Sequence, residues 1–141
     1  MRTWTIVVAV AAAEAVRTAL AERHNRRQLI LQATQIHAQY LADVTLHDKL
    51  LAQTQPPGTE HLGDYRKMVH SNRTVAFLSA KFRTGLLTEA ALRTQARHLM
   101  QGQDARAYWR TFGGFREEEP QDRRDQRFNA IMADEYQAVC D

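Results

Sequence analysis

Residues 29–51 read Leu-Ile-Leu-Gln-Ala-Thr-Gln-Ile-His-Ala-Gln-Tyr-Leu-Ala-Asp-Val-Thr-Leu-His-Asp-Lys-Leu-Leu, and this stretch decides the fold class. Apolar residues recur at Leu29, Ala33, Ile36, Tyr40, Val44 and Leu51, flanked by Ile30, Leu41 and Leu50. That 3.6-residue period marks one face of a helix. His47 falls on the stripe between Val44 and Leu51, while Gln28, Gln32, Gln35 and Gln39 supply the polar face. No Gly or Pro occurs from Arg2 to Gln55, and a break near His24-Asn25 carries no signal. The segment therefore reads as one helix of about 50 residues, roughly 75 Å long. Such length belongs to coiled coils and membrane helices.

Pro56-Pro57-Gly58 ends this helix. Thr59 can cap a second, whose stripe is Leu62, Tyr65, Met68, Val69, Val75, Ala76, Leu78 and Phe82, ending at Gly85. Asn72 interrupts that stripe as a core amide that fixes register or as a polar group in a ligand pocket. Thr88 begins a third helix, with Leu92, Ala96, Leu99 and Met100 inward and Gly102 at its C-terminal end. Asp104 can cap a short fourth helix holding Tyr108, Trp109 and Phe112, stopped by Gly113-Gly114. Phe115 to Pro120 reads as a charged connector. A last helix spans about Gln121 to Val139, with Phe128, Ile131, Met132 and Tyr136 as its apolar face. The expected fold is all-α: a long N-terminal helix followed by a small bundle of about four helices. It divides into a hydrophobic helix at 1–22, acting as anchor or oligomerisation segment, and a helical body at 23–141.

Composition agrees. In 141 residues, 44% are apolar and 25% charged, which excludes wholesale disorder, and six glycines with three prolines leave too few turns for an all-β fold. The net charge of +3 is unevenly spread: six Lys/Arg against four Asp/Glu in 1–53, seven against three in 54–102, six against nine in 103–141. A clustered basic footprint of the nucleic-acid-binding kind is missing, and no nucleic-acid partner is expected. The single cysteine, Cys140, excludes an intramolecular disulfide and a CxxC pair.

The N-terminal segment is the least settled. Thr3 to Ala13 carries no charge, but eleven helical residues rise only about 16 Å, half a hydrocarbon core. A full span must run to Ala21 and take in Glu14 and Arg17. Each such charge costs about 2.5–3.5 kcal/mol near the bilayer centre. Ile6, Val7, Val8, Val10, Val16 and Leu20 together return about 2–4 kcal/mol. Three readings follow. The segment is a marginal anchor with Trp4 at one interface and Arg17, Arg23, Arg26 and Arg27 as the membrane-proximal basic set. Or it is a short signal peptide. Or it is a soluble helix whose small faces, Ala9 and Ala13 and likewise Ala11, Ala15 and Ala19, allow close packing in a bundle or oligomer.

Chemistry-bearing motifs are sparse. Asp43 with His47, and His61 with Asp64, each offer two ligands at helical spacing, short of the three or four that zinc needs. The remaining histidines are dispersed, so no metal or cofactor is expected. Glu117, Glu118 and Glu119 read as hydrated carboxylates. No nucleophile elbow, P-loop or dinucleotide fingerprint occurs, and no catalytic residue is assigned. The densest unusual feature is Arg106, Tyr108, Trp109, Arg110, Phe112, Phe115 and Arg116, where arginines can cover aromatic rings. With Asn72, these residues form the candidate interaction surface or pocket.

The run from Ala107 to Pro120, the Asn72-Arg73 pair, and Phe128 with Asn129 resemble a family of small actinobacterial helical proteins classified as a domain of unknown function. Many of its members carry an N-terminal hydrophobic helix before a polar helical body. The resemblance implies a membrane-tethered helical protein and carries no activity, cofactor or site residue with it. Glu14 and Arg17 depart from that pattern. The expected function is a non-enzymatic interaction module on the cytoplasmic face of the cell membrane, associated through its first helix. The alternatives are a soluble cytoplasmic homo-oligomeric scaffold, and a small-molecule-binding bundle or small enzyme with Asn72, Tyr108 and Trp109 around its pocket. Its partners would be a membrane surface, a second copy or another protein.

Overall fold

A computed structural model describes residues 2–140, and of residues 2–7 and 9 the backbone alone. The side chains of Trp4, Ile6, Val7 and Ala9, used in the readings of the N-terminal segment, lie outside the described residues. Six helices and no strand occur among the described residues: α1 (Arg2–Leu46), α2 (Asp48–Thr54), α3 (Leu62–Thr84), α4 (Glu89–Met100), α5 (Gln103–Glu118) and α6 (Arg123–Cys140). The class is all-α, and α1 runs uninterrupted through residue 22.

The core lies among α3, α4, α5 and α6. Val75, Leu92, Met100, Phe128, Ile131 and Met132 are fully buried there. α4 packs along α6, and α5 along α3. The stripe read for the second helix is the one buried in α3. Gly85 adopts φ +81° and ends α3, with Gly85 N donating to Phe82 O and Leu86 N to Lys81 O. This is a Schellman closure that favours glycine at the left-handed position. Thr88 caps α4 through its hydroxyl, which accepts from Ala91 N at 3.3 Å.

Four local expectations are corrected. First, the long helix does not run on to the Pro56-Pro57-Gly58 stop: it is continuous through His24-Asn25 and breaks at His47. The break turns α2 so that Leu51 is fully buried and Tyr65 Oη donates to Thr54 O at 2.7 Å. Second, the expected stripe of α1 faces the body only at Val44, with the flanking Ile30 and Leu41; Thr34, Ala38 and Thr45 complete that face, while Leu29, Ala33, Ile36 and Tyr40 remain exposed. The facing line mixes small, polar and apolar residues because α1 lies over an open cleft for much of its length. Third, α5 passes straight through Gly113-Gly114 and absorbs Phe115 to Glu118. Gly113 is a packing residue: a Cβ there would stand 2.8 Å from Trp109 Nε1. Fourth, Thr59 and Asp104 are not caps; His61 and Gly102 hold those positions, and Gly102 has φ −76°. Asp104 sits instead in the first turn of α5, where its charge favours the helix dipole.

From residue 8 to residue 26, every described side chain of α1 is exposed. This half of the helix projects beyond the body. Among the described residues, no helix is long and apolar enough to cross a membrane.

Candidate functional site

Between the body-facing half of α1 and the bundle lies a cleft of about 780 Å³. Its size is that of a small-molecule site. Helical spacing brings its walls together. Leu29, Ile30, Ala33, Thr34, His37 and Leu41 come from α1; Asn72, Ala76, Ser79 and Arg83 form one line of α3. Tyr108, Phe112, Phe115 and Arg116 come from α5, and Asp125 and Asn129 are one turn apart on α6. Met68 and Val69 add apolar surface. The result is an apolar trough with a polar floor.

The floor is tied together. Tyr108 Oη donates to Asn72 Oδ1 at 2.9 Å. Burial raises the phenol pKa, although the charge and hydrogen bonding of Arg116 pull it down, so Tyr108 stays a neutral donor. Phe112 packs on Tyr108 with ring centroids 5.3 Å apart. Arg116 lies over the Phe128 ring, 5.8 Å from its centroid. The carbonyl of Arg116 accepts from Asn129 Nδ2 at 2.7 Å, which ties the end of α5 to α6. Asp125 is 6% exposed and accepts from Ser79 Oγ at 3.2 Å and from Gln121 N at 3.0 Å. His37 is solvent-accessible at the mouth of the cleft, and its partial burial and the Arg116 charge hold its pKa below the ordinary imidazole value.

Three buried atoms on this floor have no hydrogen-bond partner: Arg83 Nε, Arg116 Nε and Asn129 Oδ1. Arg116 is half-buried, and among the described residues it makes no ion pair. A half-buried guanidinium without an ion-pair partner and unmet buried polar atoms are costly in an apolar wall, and this pattern is concentrated at binding sites.

The candidate residues separate into two groups. Asn72, Tyr108, Phe112, Phe115 and Arg116 converge on the cleft, with Phe115 65% exposed at its edge. Trp109 is buried in the core, away from it. Arg106 is structural: its Nη1 donates to the carbonyls of Met100 and Gln101 at 2.8 and 2.7 Å, closing the end of α4. Arg110 is exposed. In the basic set, Arg17 pairs with Glu14 at 3.2 Å on the projecting half of α1. Arg26 instead reaches the body and pairs with Asp122 at 3.4 Å. Arg23, Arg26 and Arg27 line a second recess with Arg83, Asp122, Arg123 and Arg124. Neither expected His/Asp pair gains further ligands, and no group of three potential ligands converges among the described residues.

His37, Ser79, Arg83 and Asp125 were not singled out by the sequence. One signal was present: Asn72, Ala76, Ser79 and Arg83 follow the helical period beside the apolar stripe of α3, the signature of a face that is neither core nor plain surface.

No curated protein and no solved structure matches the chain. A family of unknown function, DUF6082, matches it over residues 2–141, and the chain belongs to that family.

Proposed function

We propose that the protein is a non-enzymatic binding module whose cleft between α1 and the bundle takes an elongated amphipathic small molecule. The observation that carries this reading is Arg116, half-buried and without an ion-pair partner, in an apolar trough of about 780 Å³. An apolar chain lies along Ile30, Ala33, Met68 and Phe112, and a polar group on it accepts from Arg116. Calorimetric titration with decanol and decanoate tests the reading. Both bind one to one, and Ala33→Trp, at an exposed helical site that overlooks the cleft, abolishes binding while leaving the thermal midpoint in place. Absence of binding by both compounds, or binding unchanged by Ala33→Trp, overturns it.

A second reading concerns the projecting half of α1 and is favoured by its exposed Val8, Val10, Val16 and Leu20. This half associates the protein with the cytoplasmic face of a membrane, and the alternative cover is a second copy of the chain. Flotation with vesicles containing anionic lipid supports the membrane reading. A dimer in light scattering without flotation supports the second copy, and a monomer that does not float excludes both.

A further inference from the structure

At the Arg26 end of the cleft is the second recess, of about 420 Å³, sharing Arg26, Ile30 and Arg83 with the cleft itself. Arg23, Arg26 and Arg27 of α1 face Arg83 of α3 and Arg123 and Arg124 of α6. One carboxylate, Asp122, stands among these six guanidinium groups, and it is shared between Arg83 at 3.2 Å and Arg26 at 3.4 Å. Among the described residues, Arg23, Arg27, Arg123 and Arg124 have no acidic partner.

We propose that this recess is a phosphate subsite, and that the ligand of the cleft is a single-chain amphiphile bearing a phosphate monoester head. The proposal rests on the cleft being a binding site. Three observations support it. The arginines come from three different helices, so the recess exists only in the folded chain. Arg123 and Arg124 occupy the first turn of α6, the end where the helix dipole disfavours cations, so an anion there removes a standing repulsion. Arginine forks match phosphate oxygens in pairs, and a phosphate monoester carries nearly two negative charges where a carboxylate carries one. An excess of guanidinium groups over a single carboxylate suits the dianion. The shared wall at Ile30 and Arg83 carries the apolar chain from the recess into the trough, which favours a monomeric ligand over a headgroup held in a bilayer.

Calorimetry compares decyl phosphate, decanoate, decanol and inorganic phosphate on the full chain and on Arg23→Gln/Arg123→Gln. Both substituted residues are exposed and make no ion pair, so the fold is kept, and a thermal melt checks it. Decyl phosphate is expected to bind at least about tenfold more tightly than decanoate or inorganic phosphate, and the double variant to remove that advantage. The advantage also falls as salt is raised. If decanol and decanoate bind but decyl phosphate has no advantage, or the double variant leaves it intact, the phosphate subsite is overturned and the cleft reading stands. If none of the decyl compounds binds, the cleft reading fails and the proposal with it. If inorganic phosphate binds as tightly as decyl phosphate, the recess is an anion site without an amphiphile. If anionic vesicles bind the native chain but not Arg23→Gln/Arg123→Gln, and decyl phosphate does not compete, the head belongs to a bilayer. Either of these last results overturns the proposal.

Discussion

Gly113 and Gly114 are neighbours with opposite physical roles. A Cβ on Gly113 would stand 2.8 Å from Nε1 and 3.0 Å from Cδ1 of Trp109, whose indole is buried and cannot swing aside. A Cβ on Gly114 meets nothing within 4 Å. Both lie inside α5, where alanine is favoured over glycine by about 0.5–1 kcal/mol. Gly114→Ala therefore stabilises by about that amount. Gly113→Ala loses more to overpacking than it gains, since forced shifts in a packed core cost about 1–3 kcal/mol. Urea unfolding of the two variants checks the contrast, which is one of sign. Asp122 both caps a helix and pairs with two arginines. Its Oδ1 accepts from Asp125 N at 2.9 Å, capping α6, and its Oδ2 faces Arg83 and Arg26. Burial works to raise its pKa, but the Asp125 N–H and the Arg83 guanidinium outweigh it, and the net shift is below the ordinary 3.8. A carboxyl with a depressed folded pKa contributes stability above its unfolded pKa and loses it as pH falls through the folded value. Asp122→Asn keeps the cap and loses the charge. It is expected to cost about 1 kcal/mol at pH 7, with the gap to the native chain closing below about pH 4. Asp122→Ala loses the cap as well, about 1 kcal/mol more, and that part persists in acid. Denaturation measured across pH separates the two components.

At the scale of elements, α1 is two helices in one. Its second half lies against α3 through Ile30, Ala38 and Leu41, and its ion pair from Arg26 to Asp122 is the first tie to the body along the chain. Its first half makes no packing contact that buries a described side chain, so its helicity is local and rests on alanine. Amide exchange should follow this division. Residues 10–22 exchange by local fraying, residues 38–45 are protected well above them, and the central turns of α3 and α6 exchange only on global unfolding. Uniform protection along α1 would contradict the division. The same division explains what the sequence made legible. The stripe of α3, with Val75, Leu78 and Phe82, was readable because that helix packs on several sides and its period has one consistent meaning. The stripe of α1 is legible only at Val44 and the flanking Leu41, which are buried; Leu29, Ala33, Ile36 and Tyr40 are apolar without being packed, and Thr34 and Ala38 face the body. The break at His47 was not readable because no Gly or Pro makes it; burial of Leu51 against the body does. Asn72, Tyr108 and Arg116 were visible as an amide in a stripe and an aromatic-arginine cluster. Their convergence, and the arrival of Ser79, Asp125 and His37 beside them, depends on how four helices cross, which spacing along one chain does not encode.

For the whole molecule, the question is whether the projecting segment is part of the folding unit. The body buries its own core, with Val75, Leu92, Phe128, Ile131 and Met132 closed off by α3 to α6 and Leu51 of α2 fully buried as well. The described side chains of residues 8–22 are all exposed, so among the described side chains deletion of residues 2–22 takes away no buried one and no ion pair to the body. Changes at exposed sites distant from packed features stay within about 0.5 kcal/mol, and the shortened chain is expected to unfold cooperatively within that margin of the full chain. Deletion through residue 46 is different. It uncovers Tyr65, Met68 and Val69 on α3, removes the Leu41 and Val44 contacts, and cuts the Arg26–Asp122 pair. Uncovering apolar side chains costs about 25 cal/mol per Å², and several side chains together bring the loss to a few kcal/mol, a large share of the stability of a domain this size. Chemical denaturation of the two truncations, with calorimetry of decanol binding on each, therefore separates two roles of one helix. The shorter deletion keeps both stability and the cleft. The longer one loses the cleft wall outright and most of the stability. Loss of cooperative unfolding already in the shorter deletion would show that the projecting half is covered in solution, and would shift the weight to self-association.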